Sequence, residues 1–512
     1  MPLQFNQFVL ALMAGGGGAA APLRFVTAGN SVGSETRTHT GAMLGVACKD
    51  IHYIGSGDVD GLYIEMNNWA IGQTVFNAVN VMEMWVTVDG QASGVAVRWS
   101  GSTTTTVPSA AVRYQSDRLL PSDFGLPTFA RGTKLHIGYR LQVTTAGHVM
   151  PSVADNSATV NSSIFYTPGS ATISNLQGSG AMTYGGTVAA VGDTGFPLHI
   201  VGTFVGGVDP AVYAGIGDSI TVGVGSTTNN YLGYFYRALF DNIATFSNPR
   251  AGVNISRTGT NAVLWSTAPG IAAKLAEICK LANIFVERYG INSIASNVGQ
   301  PGADAIIASR KINIWDLIRA NPASGGRSPK ICALPLTPKV NHTASVSSIS
   351  GSGTVATLTT TTTFVSSIGG IGATRVCTIA GATPAGYNAT SVTVTVASTT
   401  TVTYTNATTG ASSGTITITD KCTTLVNQTP MAGCGIGEQI ALLDTTMASI
   451  TGTAAGPDYY VDNTEAVRGN SSKASADYWR WGTTGYADDG LHPNPVGHEA
   501  MAIPLRTWMQ AQ

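Results

Sequence analysis

The stretch V-Y-A-G-I-G-D-S-I, residues 212–220, reads as a buried apolar strand that runs directly into a tight turn. A strand followed at once by Gly217-Asp218-Ser219 predicts an open sheet with a polar group at its carboxyl end. In parallel sheets that edge is where ligands bind. Downstream, Y-L-G-Y-F-Y-R-A-L-F (231–240) carries apolar residues at helical spacing, and A-G-V-N-I (251–255) reads as the next strand. Helices near 271–281 and 303–320 then alternate with strands at 284–289 and 331–336. Strands alternating with helices predict a parallel sheet covered on both faces.

Upstream, residues 23–209 have a different grammar. Runs such as M-E-M-W-V-T-V (82–88) and L-H-I-G-Y-R-L-Q-V (135–143) alternate with period two between Gly, Ser, Asp and Pro turns. That pattern predicts an antiparallel β-sandwich or jelly roll. Before it, residues 1–22 hold a short apolar run without a preceding Lys or Arg, too short to span a bilayer. An uncleaved flexible or anchoring arm is expected there, with a signal cleaved near Ala21 as the alternative.

The α/β pattern stops at Pro338. Between Val340 and Thr419 the only Asp, Glu, Lys or Arg is Arg375, and Thr, Ser, Val and Gly dominate. Alternating β-branched residues, as in S-V-T-V-T-V (391–396), predict a compact β-sandwich at 340–425 rather than a disordered linker. The α/β pattern returns over 426–512, with a helix near 437–447, a strand at 459–461 and a closing amphipathic helix. The first α/β part, 210–339, is thus expected to be interrupted by an inserted module, as exposed loop tips allow. The fold class expected is multidomain, mixed α/β and all-β.

Bulk numbers narrow the context. A chain of 512 residues with 43% hydrophobic side chains can bury several cores, and about three domains are expected. Charged residues make up 11%, against roughly 25% in an average soluble protein, so Thr, Ser, Asn and Gly must solvate the surface. A formal net charge of −1 gives no general attraction to nucleic acid or anionic membrane. The six cysteines lack C-x-x-C spacing, which argues against a zinc site or dithiol motif. Cys279 and Cys332 read as buried thiols, while Cys377, Cys422 and Cys434 flank one segment and can pair. No metal or cofactor signature is present.

Candidate chemistry gathers at four blocks. Ser219 in G-D-S is placed to attack, although G-D-S is also an ordinary turn. D-G-L-H (489–492) puts Asp489 one turn before His492, where a carboxylate can hold the ring with Nε2 free to take a proton. Of eight histidines only His342, His492 and His498 lie beyond Ile200. His498, at the start of the last helix, competes with His492 and reads more simply as a packing residue. Asp488 competes with Asp489. Gly259, in a loop after the second strand, and Asn292, in G-I-N-S after the third, can supply oxyanion donors.

In that order, these blocks resemble those of the SGNH/GDSL hydrolases, a family of serine esterases. The resemblance covers about 213–338 and 431–512. It implies Ser219 as nucleophile, His492 as general base and Asp489 as its orienting acid. Gly259, Asn292 and the Ser219 N–H would form the oxyanion hole, with Asp218 a turn residue. Ile220 stands where the family often has Leu, and Ser293 where it usually has Asp. The leading β-module resembles the jelly rolls beside polysaccharide-deacetylating esterases, which implies an acetylated glycan as substrate. The inserted module resembles those of bacteriophage tail proteins, which implies an extracellular, virion-associated esterase, a homotrimer beside other virion proteins. A secreted bacterial esterase and a non-catalytic adhesion protein with a dead hydrolase domain are the rival expectations.

Overall fold

The computed structural model describes residues 21–31, 35–71, 76–153, 160–190, 195–226, 232–267, 271–294, 300–323, 326–340, 343–360, 364–365, 371–420, 439–469, 479–480, 486–487 and 491–512. The chain is a mixed α/β and β-rich protein built on several sheets. Residues 1–20, His342, Cys422, Cys434, Asp488 and Asp489 lie outside the described residues.

The stretch at 212–220 forms the strand Tyr213–Gly217, buried along its whole length. It is the centre of a six-stranded parallel sheet. In spatial order the strands are Tyr459–Tyr460, Lys330–Ala333, Ile284–Arg288, Tyr213–Gly217, Gly252–Asn254 and Asn30–Ser31. The chain steps from Tyr213–Gly217 outward to Gly252–Asn254. It then crosses back to Ile284–Arg288 on the other side. The strand order therefore reverses between Tyr213–Gly217 and Ile284–Arg288, and in open α/β sheets the carboxyl ends at such a reversal are where ligands bind.

The sixth strand was not read from the sequence. Asn30–Ser31 comes from the β-rich N-terminal stretch, yet pairs in parallel with Gly252–Asn254. The Asn30 side chain explains how it is held. Its Nδ2 donates to the carbonyls of Thr27 (2.7 Å) and Gly252 (3.0 Å), and its Oδ1 accepts from Ile200 N–H (2.7 Å). One buried amide thus ties the β-rich region to the parallel sheet.

The β-rich region consists mainly of two antiparallel sheets, of four and eight strands. Gly45–Ile54, Val79–Val88 and Lys134–Gln142 form the middle of the larger one. The apolar residues of the β-rich region are continuous with those of the α/β region: Phe25, Tyr53 and Ile54 share one buried cluster with Phe240, Val253 and Leu281. Tyr53 stacks on Phe246 and meets Phe240 edge-on, with centroids 4.9 and 5.6 Å apart. Burying this shared surface couples the two regions energetically.

The described strands within 343–420 form one antiparallel sheet of eight strands with a hydrophobic cluster of its own, including Ile349, Leu358, Tyr387, Val394 and Ile418. Alternation decides which side is buried. Thr393 and Thr405 are exposed while their neighbours Val394 and Tyr404 are buried.

The helix expected at 303–320 is present from Gln300 to Ala320, but its middle, Lys311–Trp315, is wound as a π-turn. The wider turn brings Arg310 and Trp315, five residues apart, to the same acceptor. Arg310 Nε (2.8 Å) and Trp315 Nε1 (3.0 Å) both donate to Glu287 Oε2. The other Glu287 oxygen accepts from Tyr289 N–H at 2.8 Å. This fully buried ion pair locks the carboxyl end of strand Ile284–Arg288.

Candidate active site

At the carboxyl end of Tyr213–Gly217 the backbone turns sharply into a single helical turn, Ser219–Val222. Asp218 caps it, its Oδ1 accepting from Ile220 N–H at 3.1 Å. Gly217 is required there. A Cβ would lie 2.1 Å from Thr221 Oγ1 and 2.8 Å from the Arg288 carbonyl oxygen. The strand–Gly–Asp–Ser sequence thus presents Ser219 at the end of the central strand, nearly buried at 7% exposure.

Ser219 Oγ lies 2.9 Å from His492 Nε2. His492 precedes the last helix, Pro495–Gln510, which starts abruptly because Asn494 caps it and Pro495 occupies its first position. Opposite His492, Gly225 adopts φ +89° in the loop after the serine turn, where a Cβ would press on Pro493 O (2.5 Å) and His492 Cβ (3.2 Å). This close approach brings the two chain ends of the site together.

His498, the competing histidine, is committed elsewhere. Its Nδ1 accepts from Tyr234 N–H and its Nε2–H donates to the Val224 carbonyl, both at 3.1 Å. Burial depresses its pKa to about 3, so the ring is neutral and pins two loops together. Burial also raises the Asp218 carboxyl to about 6, opposed by Arg288 and His492.

The oxyanion candidates sit on adjoining loops. Arg257 N–H donates to the Gly217 carbonyl at 3.1 Å, which places the loop holding Gly259 against the serine turn. Gly259 is exposed, with φ +68°. Asn292 Nδ2 donates to the Thr260 carbonyl at 2.9 Å, so this loop and the one after Ile284–Arg288 are joined. An amide nitrogen carries two hydrogens; the bond to Thr260 orients the group and leaves the second for a ligand. Beneath them, Tyr289 OH takes a bond from Trp265 Nε1 at 2.9 Å and meets Thr260 Oγ1 at 3.2 Å. These supports, with Glu287 and Arg288, escaped the sequence reading because each acts through partners distant along the chain.

Among the described residues, no group of three or more His, Cys, Asp or Glu is placed to hold a metal ion. Nor is any helix among them long and apolar enough to cross a membrane. Cys48, Cys279, Cys332 and Cys377 are buried, and none of them forms a disulfide among the described residues.

No protein-family model matches the chain, and no curated protein matches it in sequence. Several solved structures are similar in part. A lipase from a goat rumen metagenome shares 16% identity over 25% of this chain, which spans 64% of the lipase, under two thirds of its length, with a TM-score of 0.20. A candidate acylhydrolase of Bacteroides fragilis shares 14% identity over 59% of this chain and 88% of its own, with a TM-score of 0.29. A family two carbohydrate esterase from Clostridium thermocellum, solved with cellohexaose, shares 14% over 59% of this chain and 78% of its own, with a TM-score of 0.20. At such scores the likeness assigns no activity, and the chemistry rests on the chain's own atoms.

Proposed function

We propose that the chain is a serine esterase of SGNH type that works through an acyl-enzyme. The observation that carries this reading is the 2.9 Å contact between Ser219 Oγ and His492 Nε2 at the carboxyl edge of a parallel sheet. With the His492 proton on Nδ1, Nε2 accepts the serine proton as Oγ attacks the ester carbonyl. The tetrahedral oxyanion is met by the Ser219 N–H, the Gly259 loop and the second Asn292 amide hydrogen. Collapse expels the alcohol, which takes its proton from His492. Water then attacks the acyl-serine through the same base and releases the acid. Asp489 is proposed as the carboxylate that orients His492.

The substrate proposed is an O-acetylated bacterial surface polysaccharide, and the setting an extracellular, phage tail-associated enzyme. Both rest on the resemblance of the jelly-roll-like N-terminal module and the inserted β-module to those of deacetylases and virion proteins. A fluorophosphonate probe tests the activity. Labelling at Ser219, lost in Ser219→Ala, is expected. A folded chain that takes no label is a binding protein and overturns the reading. Acetate release from acetylated glycans, compared with release of acid from lipid esters, tests the substrate class.

A further inference from the structure

A cleft lies at the seam between the β-rich region and the parallel sheet, at the opposite end of the strands from Ser219. Its volume is about 450 Å³. Ala211 and Tyr213 line it from the start of the central strand, Arg250 precedes Gly252–Asn254, and Arg327 precedes Lys330–Ala333. Five strand residues, roughly 16 Å at 3.3 Å per residue, separate it from the serine turn. It therefore belongs to no part of the proposed esterase site.

The cleft carries three guanidinium groups, on Arg131, Arg250 and Arg327, against one side-chain carboxylate, Asp241. Asp241 is already engaged by three donors. It accepts from Arg250 Nη2 (2.6 Å), Gln510 Nε2 (2.9 Å) and Asn248 Nδ2 (3.0 Å). That pairing accounts for Arg250 alone. Arg131 donates from Nε to the Pro249 carbonyl (2.9 Å) and from Nη2 to the Asn248 carbonyl (3.0 Å), bonds that aim the group without neutralising it. Arg327 is held by its backbone, whose N–H donates to Asp209 Oδ2 at 2.9 Å. No ion pair to its guanidinium occurs among the described residues. The Asp209 carboxylate is itself engaged by Arg24 at 2.9 Å.

The electrostatics agree with this geometry. Burial and the like charge of Arg250 lower the Arg131 pKa, opposed by Asp241 and Tyr213. At the floor of the cleft, burial raises the Tyr213 phenol well above its ordinary range, opposed by Arg250, Arg327 and Arg131 in turn. Three positive fields thus converge on one buried hydroxyl.

We propose that this cleft binds a small oxyanion, a phosphate or the carboxylate of an acidic sugar, bridged between Arg131 and Arg327. Planar guanidinium forks recognise such groups through paired, charge-assisted hydrogen bonds. Because Arg131 belongs to the β-rich region and Arg327 to the α/β region, the ligand would tie the two together and raise the stability of the whole chain.

Thermal unfolding of the full chain at constant ionic strength tests this, with inorganic phosphate and glucuronate each replacing chloride. Either anion is expected to raise Tm by about 2 °C or more at saturation, by linkage to the folded state. Arg327→Gln, which disrupts no ion pair among the described residues, should cut the apparent affinity at least roughly tenfold, and Arg131→Gln likewise. A response to phosphate alone assigns the cleft to phosphoryl groups; a response to glucuronate alone assigns it to acidic sugars. No rise with either anion, or an equal rise in Arg327→Gln, overturns the proposal. Ser219→Ala should keep the anion response, so this site and the esterase reading fail separately.

Discussion

Ser219 Oγ and His492 Nε2 meet at 2.9 Å although 273 positions separate them. Between them the chain completes four more strands of the parallel sheet and a separate eight-stranded sheet. The contact is made by the central strand, which ends at Gly217, and by the abrupt start of the last helix after Asn494. Substituting His492→Ala removes the proton acceptor while leaving the serine turn in place. Hydrolysis of p-nitrophenyl acetate should fall by at least roughly 10³-fold, with the unfolding midpoint little changed. Retained turnover would sink the pairing as a catalytic unit.

Asn292→Ala should act on the rate rather than on binding. The second amide hydrogen is proposed to meet charge that develops only in the transition state. A fall in kcat of roughly 10²–10³ with nearly constant KM is the expected result. A change confined to KM would assign Asn292 to substrate contact instead.

His498→Phe should damage the fold and spare the chemistry. The substitution leaves the Tyr234 N–H and the Val224 carbonyl without their buried partner, each lost bond costing about 1–3 kcal/mol. A loss of about 2–4 kcal/mol in urea unfolding is expected, with kcat of the folded fraction within a few fold of the parent. Loss of labelling at Ser219 in folded protein would show that His498 acts in the reaction.

Asn30→Ala should loosen the attachment of the β-rich region. Its amide serves Thr27, Gly252 and Ile200, and all three groups are buried. A destabilisation of about 2–4 kcal/mol is expected, and Asn30→Asp should also be destabilising, because a carboxylate cannot donate to the two carbonyls. Equal stability of parent and Asn30→Ala in guanidinium unfolding would show that the shared apolar core suffices.

Asp50 sets a pH dependence. It is buried in the larger sheet of the N-terminal region, where it accepts from Cys48 Sγ (3.1 Å) and Tyr139 OH (3.0 Å). Burial raises its pKa from 3.8 to about 7. A carboxyl raised in the folded state favours folding below its unfolded pKa, and that contribution is lost as pH rises from about 4 through about 7. Asp50→Asn removes the penalty of ionisation. The variant should therefore gain stability relative to the parent between pH 5 and pH 8, read as a Tm difference that widens with pH. A constant difference across that range would show that Asp50 stays protonated or is solvated.

Local patterns made much of this architecture readable. Strands expected at 251–255 and 284–289 are found at Gly252–Asn254 and Ile284–Arg288, because buried β-branched runs bounded by turns have few other uses. The helix expected at 231–240 is limited to Tyr234–Ala238 among the described residues. Periodicity alone also gave no sign of the π-turn at Lys311–Trp315. That turn answers to Glu287, a buried acceptor on another element.

The amino-acid sequence by itself determined the strand–Gly–Asp–Ser turn, since only a residue without a side chain fits at Gly217 and Asp218 caps its own neighbour. It likewise set the sharp start of the final helix through Asn494 and Pro495. Which histidine faces Ser219 was decided only by the tertiary structure. His492 and His498 lie six residues apart in similar surroundings, and the difference is that Tyr234 and Val224 occupy both nitrogens of one. The parallel pairing of Asn30–Ser31 and the cluster of Arg131, Arg250 and Arg327 belong to the same class. Each joins residues far apart in the chain, and hydrogen bonds and charges between such residues exist only once the shared core has brought them together.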